Sequence, residues 1–309
     1  DMDLRWDYFI YQFLILIFIF SISPLHAQRN IISFPVNTLP EANFIYYSDY
    51  LAYINPAGVR LQSQYSINAK VGSYSGIRKN ISEYYLDVWW QPKDTTRLAF
   101  GLQFYNNNQG EFIHFTQAKW ITRYSIYLNK DIRVIPAVGI GLMNYAFEGN
   151  SYSAGGSSIV PDLDLGVSLQ SKKWNIGISA LHLIDKKLQP MSATFDKNNL
   201  LNFYLSRVSY LGSSDYTLKY MFVTSYNRKT HNLHHDLTME LVHRNTIKAI
   251  ILLYHGKVLG MGVGMQELDT PLGRVGMNFI YSVAVSGRYL TQTNRYEIGI
   301  SYRFGKKVT

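Results

Sequence analysis

Cysteine is absent from the 309-residue chain, which removes a disulfide scaffold, thiolate metal sites and a thiol nucleophile from consideration. Charge is scarce as well: 17% of residues are Asp, Glu, Lys or Arg, against about 25% in ordinary soluble domains. Acids are outnumbered by bases, leaving a formal net charge of +9. Beyond residue 22 no apolar run approaches 18 residues, so no later segment reads as a spanning helix. The space left by charge is taken by Tyr (25), Phe (16), Gly (22) and uncharged polar residues, a composition that argues against disorder. The length allows one large domain or two ordinary ones. A mean hydropathy near zero speaks against a helical membrane bundle, yet 15% aromatic residues is a heavy load for a soluble enzyme.

Residues Phe9 to Ile22 are apolar apart from Gln12 and Ser21, and Pro24, Leu25-His26-Ala27 and Gln28 follow. This pattern predicts a secretory signal over 1–27 with cleavage after Ala27. Removing it takes away one Arg and three Asp, so 29 basic residues face 18 acidic ones and the net charge becomes +11. The bases are scattered and Arg228-Lys229 and Lys306-Lys307 are short runs, so the charge does not read as a nucleic-acid site.

What recurs along the mature chain is alternation with period two, broken by polar turns. Tyr84, Leu86, Val88 and Trp90 face one way and Glu83, Tyr85, Asp87 and Trp89 the other. The closing segment sets Tyr296, Ile298, Ile300, Tyr302 and Phe304 against Arg295, Glu297, Gly299, Ser301 and Arg303. A soluble sandwich would also alternate, but here the polar face is rich in Gly, Ser, Asn, Gln and charges of both signs, as suits a confined lumen. Strands are expected near 60–73, 80–92, 95–105, 112–129, 131–147, 160–170, 172–184, 200–210, 215–226, 232–243, 246–255, 257–266, 272–285 and 294–304. The fold class expected is therefore all-β: a transmembrane antiparallel β-barrel of fourteen strands in the cell outer membrane, with a periplasmic or plug-like N-terminal segment. Closure satisfies every backbone group in lipid, which an open sheet edge cannot do. The expected divisions are 1–27 signal, 28–58 arm or plug, 59–304 barrel and 305–309 tail, and the breaks at 106–111 and 148–159 are assigned to opposite membrane sides.

Residues 28–58 do not alternate. Phe34, Phe44, Tyr46, Tyr47, Tyr50 and Tyr53 gather around two prolines, and Ala42 to Tyr53 is a candidate short helix whose rings would fill the barrel mouth. The alternative is an irregular lead-in lying on the wall. Asn55-Pro56-Ala57-Gly58 is a turn signal, since Pro56 fixes its own φ, holds Asn55 extended, and Gly58 tolerates a positive φ.

Ile54-Asn55-Pro56-Ala57-Gly58 resembles the "INPAYAG" signature of the PorP/SprF family, membrane proteins of the type IX secretion and gliding-motility systems of Bacteroidota. Gly58 follows Ala57 at once, so the motif is shortened. Asn175 to Leu183 is similar to that family's "LGLSV-x-NL" strand end, and Arg295 to Phe304 to its closing "HEI-x-L-x-Y-x-F" strand. The resemblance implies an outer-membrane component that docks periplasmic machinery or secretes and holds a surface adhesin, with proteins and outer-membrane lipid as partners and no cofactor. It makes Asn55, Pro56, Ala57 and Gly58 a structural turn and candidate partner contact. An outer-membrane channel or hydrophobic-solute transporter is the alternative, and a soluble secreted β-protein a third reading.

Little in the sequence carries catalytic chemistry, and no enzyme activity is expected. His231, His234, His235, Asp236 and His243 form a histidine-rich stretch without a fixed metal-donor spacing. A hydrolase would need pairings such as His114 with Ser125 or His182 with Asp164. Gly260-Met261-Gly262-Val263-Gly264 lies in a strand-like run with no helix after it, so it reads as inner-wall glycine and not as a dinucleotide loop.

Overall fold

The alternation becomes fourteen antiparallel strands in a computed structural model, which describes residues 46–61, 63–74, 81–92, 97–109, 113–149, 155–190, 199–211, 215–254, 258–284 and 294–307. The strands are β1 (Ser63–Tyr74), β2 (Ile81–Trp90), β3 (Leu98–Gln109), β4 (Ile113–Tyr124), β5 (Arg133–Phe147), β6 (Gly156–Gln170) and β7 (Trp174–Leu181). They continue as β8 (Leu200–Leu211), β9 (Tyr216–Asn227), β10 (Asn232–His243), β11 (Ile247–Tyr254), β12 (Val258–Thr270), β13 (Gly273–Ala284) and β14 (Arg295–Lys307). A two-residue piece, Ile126–Tyr127, carries β4 past a break at Ser125 and pairs with Val134 and Arg133.

Every strand pairs with its sequence neighbours, and β1 also pairs with β14 through Ser66↔Arg303 to Tyr74↔Arg295. The sheet is thus closed and has no edge to satisfy in lipid. At the seam Tyr65 stacks on Phe304 with ring centroids 4.9 Å apart. All fourteen expected segments correspond to strands. β14 runs three residues past Phe304, β7 stops at Leu181 because His182 takes φ +58°, and β4 ends at Tyr124. The export segment 1–27 and residues 28–45 of the arm lie outside the described residues.

The outward faces are apolar and exposed, the inward faces polar and buried. Ile140 and Val263 are 61% and 62% exposed, whereas Glu83 and Glu297 are 0%. A soluble sandwich would reverse that arrangement, because a continuous belt of bare Leu, Ile and Val is stable only against lipid. Outward aromatics such as Trp90, Tyr124, Trp174 and Tyr210 sit near one rim, and Tyr84, Phe104, Tyr281 and Tyr296 toward the other, giving the two interfacial girdles of such barrels.

One rim carries the β1 start and β14 end with brief turns, among them 171–173, 244–246 and 271–272; the other carries longer connections, among them 148–155 and 182–199. Short turns mark the periplasmic rim of outer-membrane barrels. The expectation that 106–111 and 148–159 lie on opposite sides is corrected. Both join an odd strand to an even one, and Ile113 pairs with Gln109 on one side and Phe147 on the other, so they share the outer rim.

Candidate functional site

The interior is occupied by residues 46–61, which enter from the β1 end. Their local shape follows from short-range bonds. Tyr50 N–H donates to the Tyr47 carbonyl at 2.8 Å, and a single 3₁₀ turn, Leu51–Tyr53, follows with Ile54 and Asn55 N–H both donating to the Leu51 carbonyl. Pro56 has no N–H with which to continue this turn. Instead the Asn55 side-chain oxygen accepts from Ala57 N–H at 2.8 Å, and the Asn55 carbonyl accepts from Gly58 N–H at 2.9 Å. The expected helix over 42–53 is thus reduced, among the described residues, to one turn. Its rings do fill the lumen: Tyr46, Tyr47 and Tyr50 are buried.

The Asn55-Pro56 turn sits on a floor from which the wall's side chains have been removed. Gly166 pairs with Ser179, and Ser168 with Gly177, across β6 and β7. A Cβ on Gly166 would lie 2.2 Å from Asn55 Oδ1, and one on Gly177 would lie 2.7 Å from Asn55 Nδ2. That closeness lets the Asn55 amide donate to the Ile178 carbonyl at 2.9 Å and the Val167 carbonyl at 3.3 Å. The flanking carbonyls are taken by wall side chains. Ile54 O accepts from Ser179 Oγ (2.5 Å) and Asn202 Nδ2 (2.8 Å), Ala57 O from Ser168 Oγ (2.8 Å), and Gly58 O from Asn175 Nδ2 (3.1 Å). Val59 O accepts from Arg123, while Arg60 reaches down to the Ser171 carbonyl at 2.6 Å. Each of these flanking carbonyls therefore has a partner, as burial demands.

The other end of the segment is held by charge on the opposite wall. Lys248 of β11 donates to the Tyr46 hydroxyl at 3.0 Å and pairs with Asp49, to which Tyr46 OH also donates at 3.0 Å. Lys70 of β1 donates to the Tyr46 carbonyl at 2.7 Å and pairs with Glu297 at 2.6 Å; Arg295 joins Glu297 (2.9 Å) to Glu83 (3.0 Å). Burial alone would raise the Asp49 carboxyl, but Lys248 and Lys219 outweigh it and hold that group well below the usual carboxylate range. Tyr53 packs on the rings of Tyr85 and Tyr105, from β2 and β3, at 5.7 and 5.3 Å. Since β6–β8 and β11–β1 are opposite arcs of a fourteen-strand ring, the segment crosses the lumen.

Asn55 and Ala57 are 0% exposed, and Pro56 and Gly58 are buried beside them. The closing-strand residues Tyr296, Ile298 and Ile300 face outward at 38–48% exposure, and Tyr302 and Phe304 are half-buried at the periplasmic rim. The histidine-rich stretch does not converge. His231 lies in the β9–β10 turn against Tyr226, His235 faces outward against Phe222, Asp236 faces inward, and His243 stacks on Tyr216. His114 lies near the start of β4 and Ser125 just past its end; His114 Nδ1 hydrogen-bonds Asn108, and its Nε2 lies 3.1 Å from Glu148. Gly260, Gly262 and Gly264 are inside β12, where a Cβ on Gly260 would strike Leu252 at 2.5 Å.

His182 and Asp164 do meet. His182 N–H donates to Asp164 Oδ1 at 2.9 Å, and its Nδ1 lies 2.8 Å from Asp162 Oδ2. Asp162, Asp164 and His182 are a three-donor group within 4.8 Å. Lys119, however, places its ammonium against Asp164 and 2.9 Å from Asp162, where a divalent cation would have to bind. Among the described residues the His182 ring nitrogen meets Asp162 and, at 3.5 Å, the Gln117 amide. Sequence reasoning missed Gly166, Gly177, Arg60 and Arg123. The available signal was the run of small inward residues, Gly166 and Ser168 in one strand and Gly177 and Ser179 in the next.

These features define an outer-membrane β-barrel whose lumen is crossed by its own N-terminal segment. The chain matches the model of the type IX secretion system membrane protein PorP/SprF over residues 41–308, and it belongs to that family. It is a type IX-associated outer-membrane protein and not an enzyme. No curated protein matches it. Among solved structures it is similar in fold to the CymD monoaromatic hydrocarbon channel (10% identity, 86% of this chain and 95% of that one, TM-score 0.53). A Pseudomonas aeruginosa FadL homologue aligns with 9% identity over 87% and 99% of the two chains, TM-score 0.52. The Pseudomonas putida toluene transporter TodX aligns with 10% identity over 83% and 94%, TM-score 0.50. At such identities the likeness is one of fold.

Proposed function

We propose that the protein serves the type IX machinery as an outer-membrane docking platform, its periplasmic turns and N-terminal arm contacting machinery beneath the membrane, or its outer loops holding a secreted adhesin. The observation that carries this reading is the luminal segment: residues 46–61 spend their polar groups on opposite walls. An interior committed in this way supports a rigid scaffold, on which loops dock at low entropic cost. The buried Asn55-Pro56-Ala57-Gly58 turn then acts as an internal latch, and partner contact falls to the rims.

Affinity purification of the full chain from its native membranes is expected to bring down other type IX components, and deletion of its gene to abolish surface display of at least one type IX cargo. Unaltered display together with no copurifying machinery would overturn the proposal. The names of the structural relatives prompt the rival transport reading. It is tested by planar-bilayer recording, where the platform predicts no steady conductance and a transporter open to water predicts one.

A further inference from the structure

The lipid-facing wall between β4 and β7 is hollowed on its periplasmic half. Outward Thr122, Pro136 and Ala180 are small or flat, while Tyr124, Leu165 and Ile178 stand up around them, leaving a depression of about 610 Å³. A second depression of about 260 Å³, walled by Ile132, Leu169, Trp174 and Ile176, lies farther along the same strands toward the turns. Leu165 and Leu169 are four residues apart on β6 with outward Val167 between them, so the two hollows lie in line as an apolar furrow in two parts, roughly 13 Å from one leucine to the other at about 3.3 Å per strand residue.

The foot of the furrow is cationic. Arg207 of β8 is the register partner of Trp174 and faces outward, with its guanidinium 4.6 Å from the centre of the indole ring. Its Nε is buried without a hydrogen-bond partner, and among the described residues no carboxylate pairs with this arginine. The adjoining turn adds Lys172 and Lys173; Asp131 meets Lys172 at 2.7 Å. From the luminal side Arg60 occupies the Ser171, Lys172 and Trp174 carbonyls, so those acceptors do not compete for the outer cations. An outward arginine stacked on tryptophan at headgroup depth, with no carboxylate partner among the described residues and an apolar furrow beside it, fits one kind of ligand.

We propose that this furrow binds one anionic phospholipid of the periplasmic leaflet. One acyl chain lies along β6 and β7, and the phosphate is held by Arg207 with Lys172 and Lys173. Arginine suits phosphate through its planar donor fork, and tryptophan and basic side chains favour the membrane interface. This inference rests on the barrel and its rim orientation, and is independent of the docking role.

The test is native mass spectrometry of the full chain, titrated with phosphatidylglycerol or phosphatidylcholine of identical acyl chains. The first phosphatidylglycerol is expected to bind at least about tenfold more tightly, and Arg207→Gln to weaken it about fivefold with phosphatidylcholine unchanged. Ala180→Phe, which fills the hollow, is expected to weaken both lipids; Thr122→Leu is the second filling variant should that one fail to fold, as read by heat-modifiable gel migration. Equal affinity for the two lipids in the parent overturns the site. A preference that survives Arg207→Gln, or binding indifferent to a folded filling variant, overturns it equally.

Discussion

Asn55 has a side chain whose two ends do different work: its oxygen shapes the turn, and its amide binds the wall. Asn55→Ala removes both and leaves the Ile178 and Val167 carbonyls facing a methyl group. A loss of about 1–3 kcal/mol is expected, that of a buried polar group deprived of its partner. It is read as a lower temperature for the folded-to-unfolded shift on heat-modifiable gels. Gly177→Ala is expected to do comparable damage from the opposite side. Its Cβ would come 2.4 Å from Tyr204 Cε1 as well as 2.7 Å from the Asn55 amide, and such overpacking costs typically about 1–3 kcal/mol. Gly139→Ala is the control, since its Cβ would meet Asp164 at an ordinary 3.4 Å. Equal destabilisation by the two glycine variants would show that the wall responds to any added methyl, and the latch would lose its support.

At the scale of elements, the luminal segment is anchored at one end by hydrogen bonds and at the other by the Asp49–Lys248 pair. Because Asp49 titrates below its unfolded value, the stabilisation it lends is present above about pH 4, the ordinary range of an Asp carboxyl, and is lost as pH falls through that range toward the folded value. Anchoring is therefore expected to be constant from pH 8 to pH 5. Asp49→Asn is expected to cost on the order of 3 kcal/mol at all of these pH values, by leaving buried Lys248 without its carboxylate. The cysteine-free chain offers a clean readout: thiol labelling of Ser48→Cys, buried beside the pair, measured against Lys130→Cys in an exposed turn. Labelling of Ser48→Cys with Asp49 intact that accelerates between pH 8 and pH 5, relative to Lys130→Cys, would contradict this account. The strands themselves were legible because lipid outside and polar contacts inside impose a strict period of two. The latch was not, because nothing near Asn55 in sequence reports that its acceptors lie on Val167 and Ile178. The Asn-Pro-Ala signal showed a turn without showing where it docks.

For the molecule as a whole, the inverted distribution of charge and apolar surface makes a directional prediction. Ile140 stands at the centre of β5 on the lipid face. Ile140→Arg is expected to cost about 2–4 kcal/mol of barrel stability, the midplane value for a cation on a membrane barrel. The check is the fraction of heat-modifiable, membrane-assembled protein. A soluble β-protein would tolerate the same change or gain solubility, so an unaffected assembled fraction would argue against the barrel's orientation in lipid. Strand number and closure could be anticipated from the even count of alternating segments. The sidedness of the breaks at 106–111 and 148–159 was misassigned, an error of counting that the Ile113 pairings expose. The meeting of His182 with Asp162 and Asp164, and of Lys119 with both, depends on strand register and had no local signature.

The latch also sets a clock. Asn55 and Ile178 are 123 residues apart in the chain, and Ile54 and Asn202 are 148 apart. Contacts of that separation pay their loop-closure entropy late, after more local hairpins have formed. The N-terminal segment, synthesised before any strand, is therefore among the last parts to find its place. β1 and β14 meet across a longer separation still, 237 residues from Ser66 to Arg303, so by the same measure the ring closes after Asn55 is seated on its glycine floor, around an interior already claimed.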